Sequence, residues 1–518
     1  MAFAMSPVAA QVIPLAKETA TQKGVFTLGP STSLTAGKGV NTAVLAKFLK
    51  TLTGIAPKNN PGKNSIRLEI NEKTGLKEGY RLIIKSNEVR ITGHDEAGVF
   101  YGFMTMLQQL KPAADHTFQL PSQTITDQPR FAYRGMMLDV CRRFFGVESL
   151  KKWLDVLAFY KINTFHWHLT DDQGWRIEIK KYPRLQTVSA WRDETIIGHK
   201  KSSPHKFDGK RYGGFYTQNE VREIVQYAAD RHIEVIPEIE MPGHALAALA
   251  AYPQLGCTGG PYKTATFWGV FDDVYCAGND ETFTFLQNVL DEVIPLFPSK
   301  YVHIGGDECP KTRWKVCPKC QKRIAEEHLR DEHELQTYFV GRMEKYLNKK
   351  GKSIIGWDEI LEGGLTPNST IMSWRGESGG IAAAKQKHKG IMTPDQFVYL
   401  DYYQSLNPAE PTAAGSYLPL KKIYNYEPLP DSLTADEKKY IKGVQANAWS
   451  EYFVDDRQAG YMLFPRMLAL AETGWSAAGQ KDYDQFLVRV RAQEKWLKRF
   501  GVSWFPYFDE ITDELSAD

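Results

Sequence analysis

The chain has 518 residues, 42% apolar and 24% charged, with a formal net charge of +3. That balance is the one of a folded globular protein with ample material for a core, and its basic residues are too evenly spread for a nucleic-acid or anionic-membrane surface. No apolar run reaches the roughly 18 residues a membrane span requires. Residues 1–11, MAFAMSPVAAQ, are apolar and rich in small residues, and read as the remnant of a signal peptide.

Residues 12–128 read as a small α+β domain. SIRLEI and YRLIIKSNEVRITG alternate apolar and polar residues as strands do, with SNE as a turn. DEAGVFYGFMTMLQQLKP follows with helical spacing and a proline beyond its end. TFQLPSQTITDQPRF, with two prolines and several turn residues, reads as a domain boundary.

From Tyr133 onward, short apolar runs recur, each ending in polar or aromatic residues: YRGMMLDV, NTFHWHLT, IEVIPEIE, YVHIGGDE, SIIGWDEI, STIMSWRG, GIMTPDQFVYLD and KGVQANAWSE. Amphipathic stretches stand between several of them, among them SLKKWLDVLAFYK, TQNEVREIVQYAADR, TFTFLQNVLDEVIPLF and EHELQTYFVGRMEKYLNKK, the last closing on Gly351 as a helix cap. Strands alternating with helices in this way predict an α/β fold, a (β/α)8 TIM barrel over 129–480. YMLFPRMLALAETGW reads as one more helix, and 481–518 as a C-terminal helix packed on the barrel.

In such a barrel the strand ends build the site. Here they carry Asp139, Arg142, Asp171, Glu238, Glu240, His244, Asp307, Glu308, Trp357, Trp374, Tyr399, Asp401, Trp449 and Glu451. Tryptophan faces stack on the apolar faces of sugar rings, and carboxylates with an arginine bind vicinal hydroxyls, so the set points to a carbohydrate site. Most glycosidases then use two carboxylates from different strands facing each other across the bond. HIGGDE instead places Asp307 and Glu308 side by side. His166 and His168, flanking Trp167, read as packing and hydrogen-bonding residues, and Glu238 and Glu240 as structural or supporting ones. Trp175 and Trp314 divide evenly between core and sugar subsite. No GxGxxG or P-loop is present, and no His and carboxylate triplet stands at metal spacing, so neither a cofactor nor a catalytic metal is expected. Cys257 and Cys276 bracket a glycine-rich loop and are a candidate pair. Cys309, Cys317 and Cys320, as C-x7-C-x2-C, lack a second pair and give only a weak zinc signal.

HIGGDE, together with NTFHWHLTDDQGWR, EIEMPGH, GWDEI, MSWRG, YLD and GVQANAWSEY in that order, resembles glycoside hydrolase family 20, the β-N-acetylhexosaminidases. The resemblance covers about 130–475 and also suits the N-terminal domain. It implies an exo-acting, retaining enzyme whose substrate supplies its own nucleophile, the 2-acetamido oxygen. Glu308 is then the general acid and later the base. Asp307 orients the acetamido group and stabilises the oxazolinium ion, and Tyr399 binds the acetamido oxygen. Trp357, Trp374 and Trp449 wall the pocket, and Arg142, Asp401 and Glu451 bind ring hydroxyls. Asp171 and His244 form a chain to Glu308. Family spacing selects Arg142 over Arg143. The implied partner is a glycan ending in N-acetylhexosamine, in the periplasm, at the cell surface or outside a bacterium. The oligomeric state stays open, a dimer among the options. Some family members carry a tryptophan shortly after the YLD motif; this chain has none there, and Tyr402, Tyr403 and Tyr424 are the candidates for its place. The alternatives are a lacto-N-biosidase or 6-sulfo-GlcNAc hydrolase of the same family, a barrel glycosidase without acetamido assistance, and a non-catalytic glycan-binding barrel.

Overall fold

The computed structural model describes residues 11–58 and 64–508; the signal-peptide reading falls almost wholly outside them. The N-terminal domain is a mixed sheet backed by two helices, Thr42–Thr53 and Glu96–Gln108. Its strand order is Glu18–Leu28, Phe118–Asp127, Tyr80–Ile84, Glu88–Gly93, Ser65–Ile70, Ser33–Ala36, and Lys111–Pro112 pairs with Phe118–Asp127. The alternation in SIRLEI and in the hairpin 80–93 places Ile66, Leu68, Leu82, Ile84, Val89 and Ile91 in the core. The stretch read as a boundary is instead mostly strand: Phe118–Asp127 runs antiparallel to both Glu18–Leu28 and Tyr80–Ile84. Pro121 is tolerated where the register of that pairing shifts.

The helix Glu96–Gln108 starts at Asp95, whose side chain accepts from the Gly98 amide, and it is buried along nearly its whole length. Its outer side meets the barrel, with Tyr101 edge-on to Trp475. Beside it, Lys161 ion-pairs with Asp127 at 3.0 Å and bonds the Tyr80 hydroxyl, and both partners are fully buried. Trp475 Nε1 donates to the same carboxylate. Removing one partner of a buried pair strands the other charge, so Lys161→Ala is expected to cost about 3–5 kcal/mol of stability. A denaturant midpoint equal to that of the unaltered protein would exclude this joint as a contributor.

All eight apolar runs are strands of one closed parallel barrel: Tyr133–Asp139, Thr164–His168, Glu234–Glu238, Tyr301–His303, Ser353–Trp357, Thr370–Ser373, Gly390–Met392 and Ile441–Ala448. Tyr133, Ile236, Ile355, Trp357, Met372 and Ile391 form a separate apolar cluster. Side chains from strands that are not neighbours can touch only inside the barrel. The interior also holds polar groups. Gln445 donates to His166 and accepts from the Tyr133 hydroxyl, and a fully buried Glu238 gathers His166, His168, His303 and Trp357 around itself.

The stretch YMLFPRMLALAETGW is two helices, Asp456–Leu463 and Arg466–Trp475, because Pro465 cannot sit in a helix interior. The final helix, Tyr483–Arg499, does more than pack on the barrel. Arg489 ion-pairs with Glu472 of the barrel, while Trp496 and Lys495 donate to the carbonyls of Gln108 and Leu110 in the N-terminal domain. It therefore fastens both domains together. Trp175 and Trp314 are buried core residues, not subsite walls.

The reading of the cysteines changes as well. Cys257 and Cys276, on the loop after the third strand, come together with Cys317 and Cys320, on the loop after the fourth, while Cys309 stays apart. The missing second pair is thus the one bracketing the glycine-rich loop.

Candidate active site

Every residue given a catalytic or substrate-binding role lines one cleft of ≈ 210 Å³ at the C-terminal ends of the barrel strands, whereas Asp139, Glu238 and Glu240, also at strand ends, do not line it. Lys200, Tyr402 and Ala414 complete its walls. Of the tyrosines weighed for the missing tryptophan, Tyr402 lies there, whereas Tyr424 is buried against Phe486.

The two adjacent acids reach the cleft because the fourth strand ends early, at His303. Gly305 and Gly306 follow with φ of 67° and 95°. A Cβ on Gly305 would lie 1.6 Å from a carboxylate oxygen of Glu240, and one on Gly306 would lie 2.4 Å from Ile360. Only glycine fits both the backbone and the space. Glu308 itself has φ 41°, and His244 φ 46°. Two non-glycine residues in the left-handed region facing one cleft are the kind of strain that marks functional positions. The result is two carboxylates on the same side of the cleft. Asp307 Oδ2 is 3.5 Å and Glu308 Oε2 3.6 Å from His244 Nε2, with the Asp307 side chain 10% exposed and that of Glu308 42%. The other Asp307 oxygen, Oδ1, is buried without a partner.

His244 differs from expectation in its support. Its Nδ1 is 2.9 Å from Asp172 and 3.4 Å from Asp171. Asp172 was missed in the sequence because it sits beside Asp171, and neighbours on a strand ordinarily diverge. Asp171 is chiefly committed elsewhere, to Arg142 Nη2 at 2.8 Å and to His168 Nε2 at 2.8 Å. Arg142 also bonds Gln173 and Asp139 and lies 5.3 Å from the Trp449 ring centre. Arg143 points away, over Tyr212.

The aromatic wall is continuous. Trp357 and Trp449 centre 5.9 Å apart, Tyr399 and Trp449 6.3 Å, and Tyr399 stacks on Trp374 at 6.2 Å. Trp357 is anchored by Glu238, and Trp374 Nε1 donates to Glu359 at 2.9 Å. Glu359, another acid without an assigned role in the sequence, also lies 3.4 Å from the Glu308 amide.

Burial sorts the acids electrostatically. It raises the carboxyls of Asp401 and Glu451, and in Glu451 Arg142 offsets only part of the rise. Burial, with the Asp307 charge added, holds Glu240 well above the usual range and pushes Glu359 up to about 9. Burial would also lower His244, but the Asp171 and Asp307 charges outweigh it and hold the imidazole protonated. That imidazolium, 3.6 Å from Glu308, in turn holds its carboxyl below the ordinary range, burial notwithstanding. If Glu308 acts as an acid, kcat/KM falls as pH rises through its pKa. His244→Asn removes the cation, so the alkaline limb of kcat/KM should move to higher pH while the maximum drops. A limb that stays in place would show that His244 does not set the proton affinity of Glu308.

Such a barrel, with carboxylates and a tryptophan wall at its strand ends, is the architecture of barrel glycoside hydrolases. The chain belongs to glycosyl hydrolase family 20: the model of that family's catalytic domain matches residues 131–478, and the model of its domain 2 matches 9–128. A β-hexosaminidase of Porphyromonas gingivalis is 52% identical over 83% of this chain and 55% of its own length, and one of Vibrio furnissii is 40% identical over 77% and 66%. This chain thus spans between about half and two-thirds of the length of those two relatives. A solved exo-β-N-acetylglucosaminidase of Vibrio harveyi, in complex with N-acetylglucosamine, superposes with a TM-score of 0.87 at 33% identity, over 97% of this chain and 79% of that one. A β-N-acetylhexosaminidase of Bacteroides fragilis superposes with a TM-score of 0.82 at 31% identity, over 98% and 99%.

Proposed function

We propose that the chain is an exo-acting, retaining β-N-acetylhexosaminidase that releases terminal β-linked GlcNAc or GalNAc from glycans or chito-oligosaccharides. The nucleophile is the substrate's own acetamido oxygen. The observation that carries this reading is the adjacent pair. Asp307 and Glu308 approach one imidazole nitrogen from the same side, so they do not face each other across a glycosidic bond. The remaining acids in the cleft are poor nucleophiles. Asp401 and Glu451 are raised toward the protonated form, and Asp171 is engaged by Arg142. A 2-acetamido group supplies what the protein lacks, and the activities named for the relatives agree with it.

In this mechanism Glu308, the more exposed acid, protonates the leaving oxygen and then activates water. Asp307 uses its unpartnered oxygen to accept the acetamido N–H and to stabilise the cation that develops on ring closure. Tyr399 aims the acetamido oxygen, and the tryptophans exclude water from it. Arg142, Asp401 and Glu451 bind the outer hydroxyls. Asp401 and Glu451 accept from those hydroxyls, and in its protonated form either carboxyl can donate as well. Asp172 joins Asp171 in holding His244 toward Glu308. The decisive experiment compares matched aryl β-glycosides with and without the 2-acetamido group.

A further inference from the structure

We propose that Cys257, Cys276, Cys317 and Cys320 bind one zinc ion as a tetrathiolate, clamping together the loops that follow the third and fourth barrel strands. The sulfur of Cys257 is 3.8 Å from that of Cys320, and Cys276 is 3.8 Å from Cys317 and 3.7 Å from Cys320. All four sulfurs lie within 4.8 Å of one another. A tetrahedron with zinc–sulfur bonds of about 2.3 Å has edges of about 3.8 Å. A disulfide would bring one pair to about 2.05 Å and leave the other pair out. Edges this short admit a single ion and leave no space for a cluster with its own sulfides. Neither remaining cysteine belongs to the group. This completes the ligand set that C-x7-C-x2-C signalled only weakly, with Cys257 and Cys276 in place of Cys309.

The backbone is arranged for the purpose. Gly256 bridges Tyr275 antiparallel, and the Cys276 amide donates to the Leu255 carbonyl at 2.8 Å, so Cys257 and Cys276 stand at one narrow neck. Cys317 immediately precedes the helix Pro318–Glu326, and Cys320 lies in its first turn, the C-x2-C arrangement common in structural zinc sites. The two halves meet at Gly278, where a Cβ would lie 2.1 Å from the Lys319 carbonyl carbon and oxygen. Only glycine allows that approach. On binding Zn2+ each thiol gives up its proton, so four protons leave and the site carries a net charge of −2.

The clamp lies behind the cleft. Between its two cysteines, the first loop donates from the Ala265 amide to the Asp172 carbonyl and accepts from Gln173 at the Phe267 carbonyl. Asp172 holds His244, and Gln173 holds Arg142. The second loop, which starts after His303, carries Asp307 and Glu308. The metal is therefore placed to position both loops while touching neither substrate nor reacting atoms.

The test is the metal content of the full chain, purified without chelator and measured by inductively coupled plasma mass spectrometry. The expected result is one zinc per chain. Replacement by Co2+ should produce the visible d–d and thiolate charge-transfer bands of a tetrathiolate. Cys276→Ser and Cys320→Ser should lower zinc content at least tenfold and lower Tm, whereas Cys309→Ser should keep the metal. If these variants fail to fold, the zinc content and cobalt spectrum of the unaltered chain still decide. Iron in place of zinc, a Cys257–Cys276 disulfide in non-reducing peptide maps, or four titratable thiols that take up no Zn2+ on reconstitution would each overturn the proposal. Metal content is read independently of hydrolysis, so it stands or falls apart from the proposed activity.

Discussion

An aryl β-glycoside bearing a 2-acetamido group is expected to be hydrolysed at least about 10⁵-fold faster, in kcat/KM, than the matching aryl β-glucoside, since well-oriented intramolecular nucleophiles reach effective molarities of roughly 10⁵–10⁸ M. The figure rests on what the cleft withholds as much as on what it offers. Asp307 and Glu308 reach it from one side, with both of their nearer oxygens directed at His244 Nε2. The acids elsewhere in it are shared with Arg142 or held toward their protonated forms by burial. A glucoside would bind the same hydroxyl-binding groups and stack on the same tryptophans, yet no group would stand ready to attack C1. Its ring would also leave the unpartnered oxygen of Asp307 without a donor, which adds the cost of a buried, unsatisfied carboxylate. Comparable rates on the two substrates would mean that a protein carboxylate attacks, and Asp401 or Glu451 would have to be ionised to do it.

Much of this architecture was legible in the sequence, for physical reasons that also mark where legibility stops. Each barrel strand is a short apolar run that ends in a polar residue, because its body is buried on both faces while its end opens on the cleft. That pattern is local, so all eight strands could be read. What escaped depends on contacts between distant segments. Asp172 and Asp171 are neighbours, and nothing in TDDQGW says which carboxylate His244 meets; the separation is made by the short hairpin pairing Thr170–Asp171 with Gly174–Trp175. Glu359 stands inside the recognised GWDEI motif, but its role in holding Trp374 requires the next strand. Lys200 comes from a loop with no periodic pattern at all. The four clustered cysteines lie on two loops: Cys317 and Cys320 have the C-x2-C spacing of half a metal site, but nothing in the spacing of Cys257 and Cys276 marks them as the other half. The prolines of 117–131 read as punctuation, whereas Pro121 sits inside a strand, beside the register shift in its pairing with Glu18–Leu28.

Glu308→Gln is expected to lower kcat/KM by about 10²–10⁴-fold on substrates whose leaving group needs a proton, the usual contribution of a positioned acid. On an aryl glycoside with a strongly acidic phenol the fall should be far smaller, since that leaving group departs without help. The amide keeps the shape and the hydrogen-bonding reach of the carboxyl, so binding of the sugar, which is assigned to Arg142, Asp401 and Glu451, should persist. Asp307→Asn makes the contrast. Asp307 stabilises charge on the acetamido side, and loss of that interaction, typically about 10²–10³-fold in kcat, should appear with good and poor leaving groups alike. The variant of one acid should therefore depend on the leaving group and that of the other should not, even though the two lie next to each other in the chain and share His244. A small anion such as azide, which needs no base, should restore turnover of the activated substrate by Glu308→Gln and form the β-glycosyl azide. It should not restore Asp307→Asn, whose barrier lies before the intermediate exists. Equal leaving-group sensitivity in the two variants would show that the carboxylates act as a unit, and the division of labour between Asp307 and Glu308 would have to be abandoned.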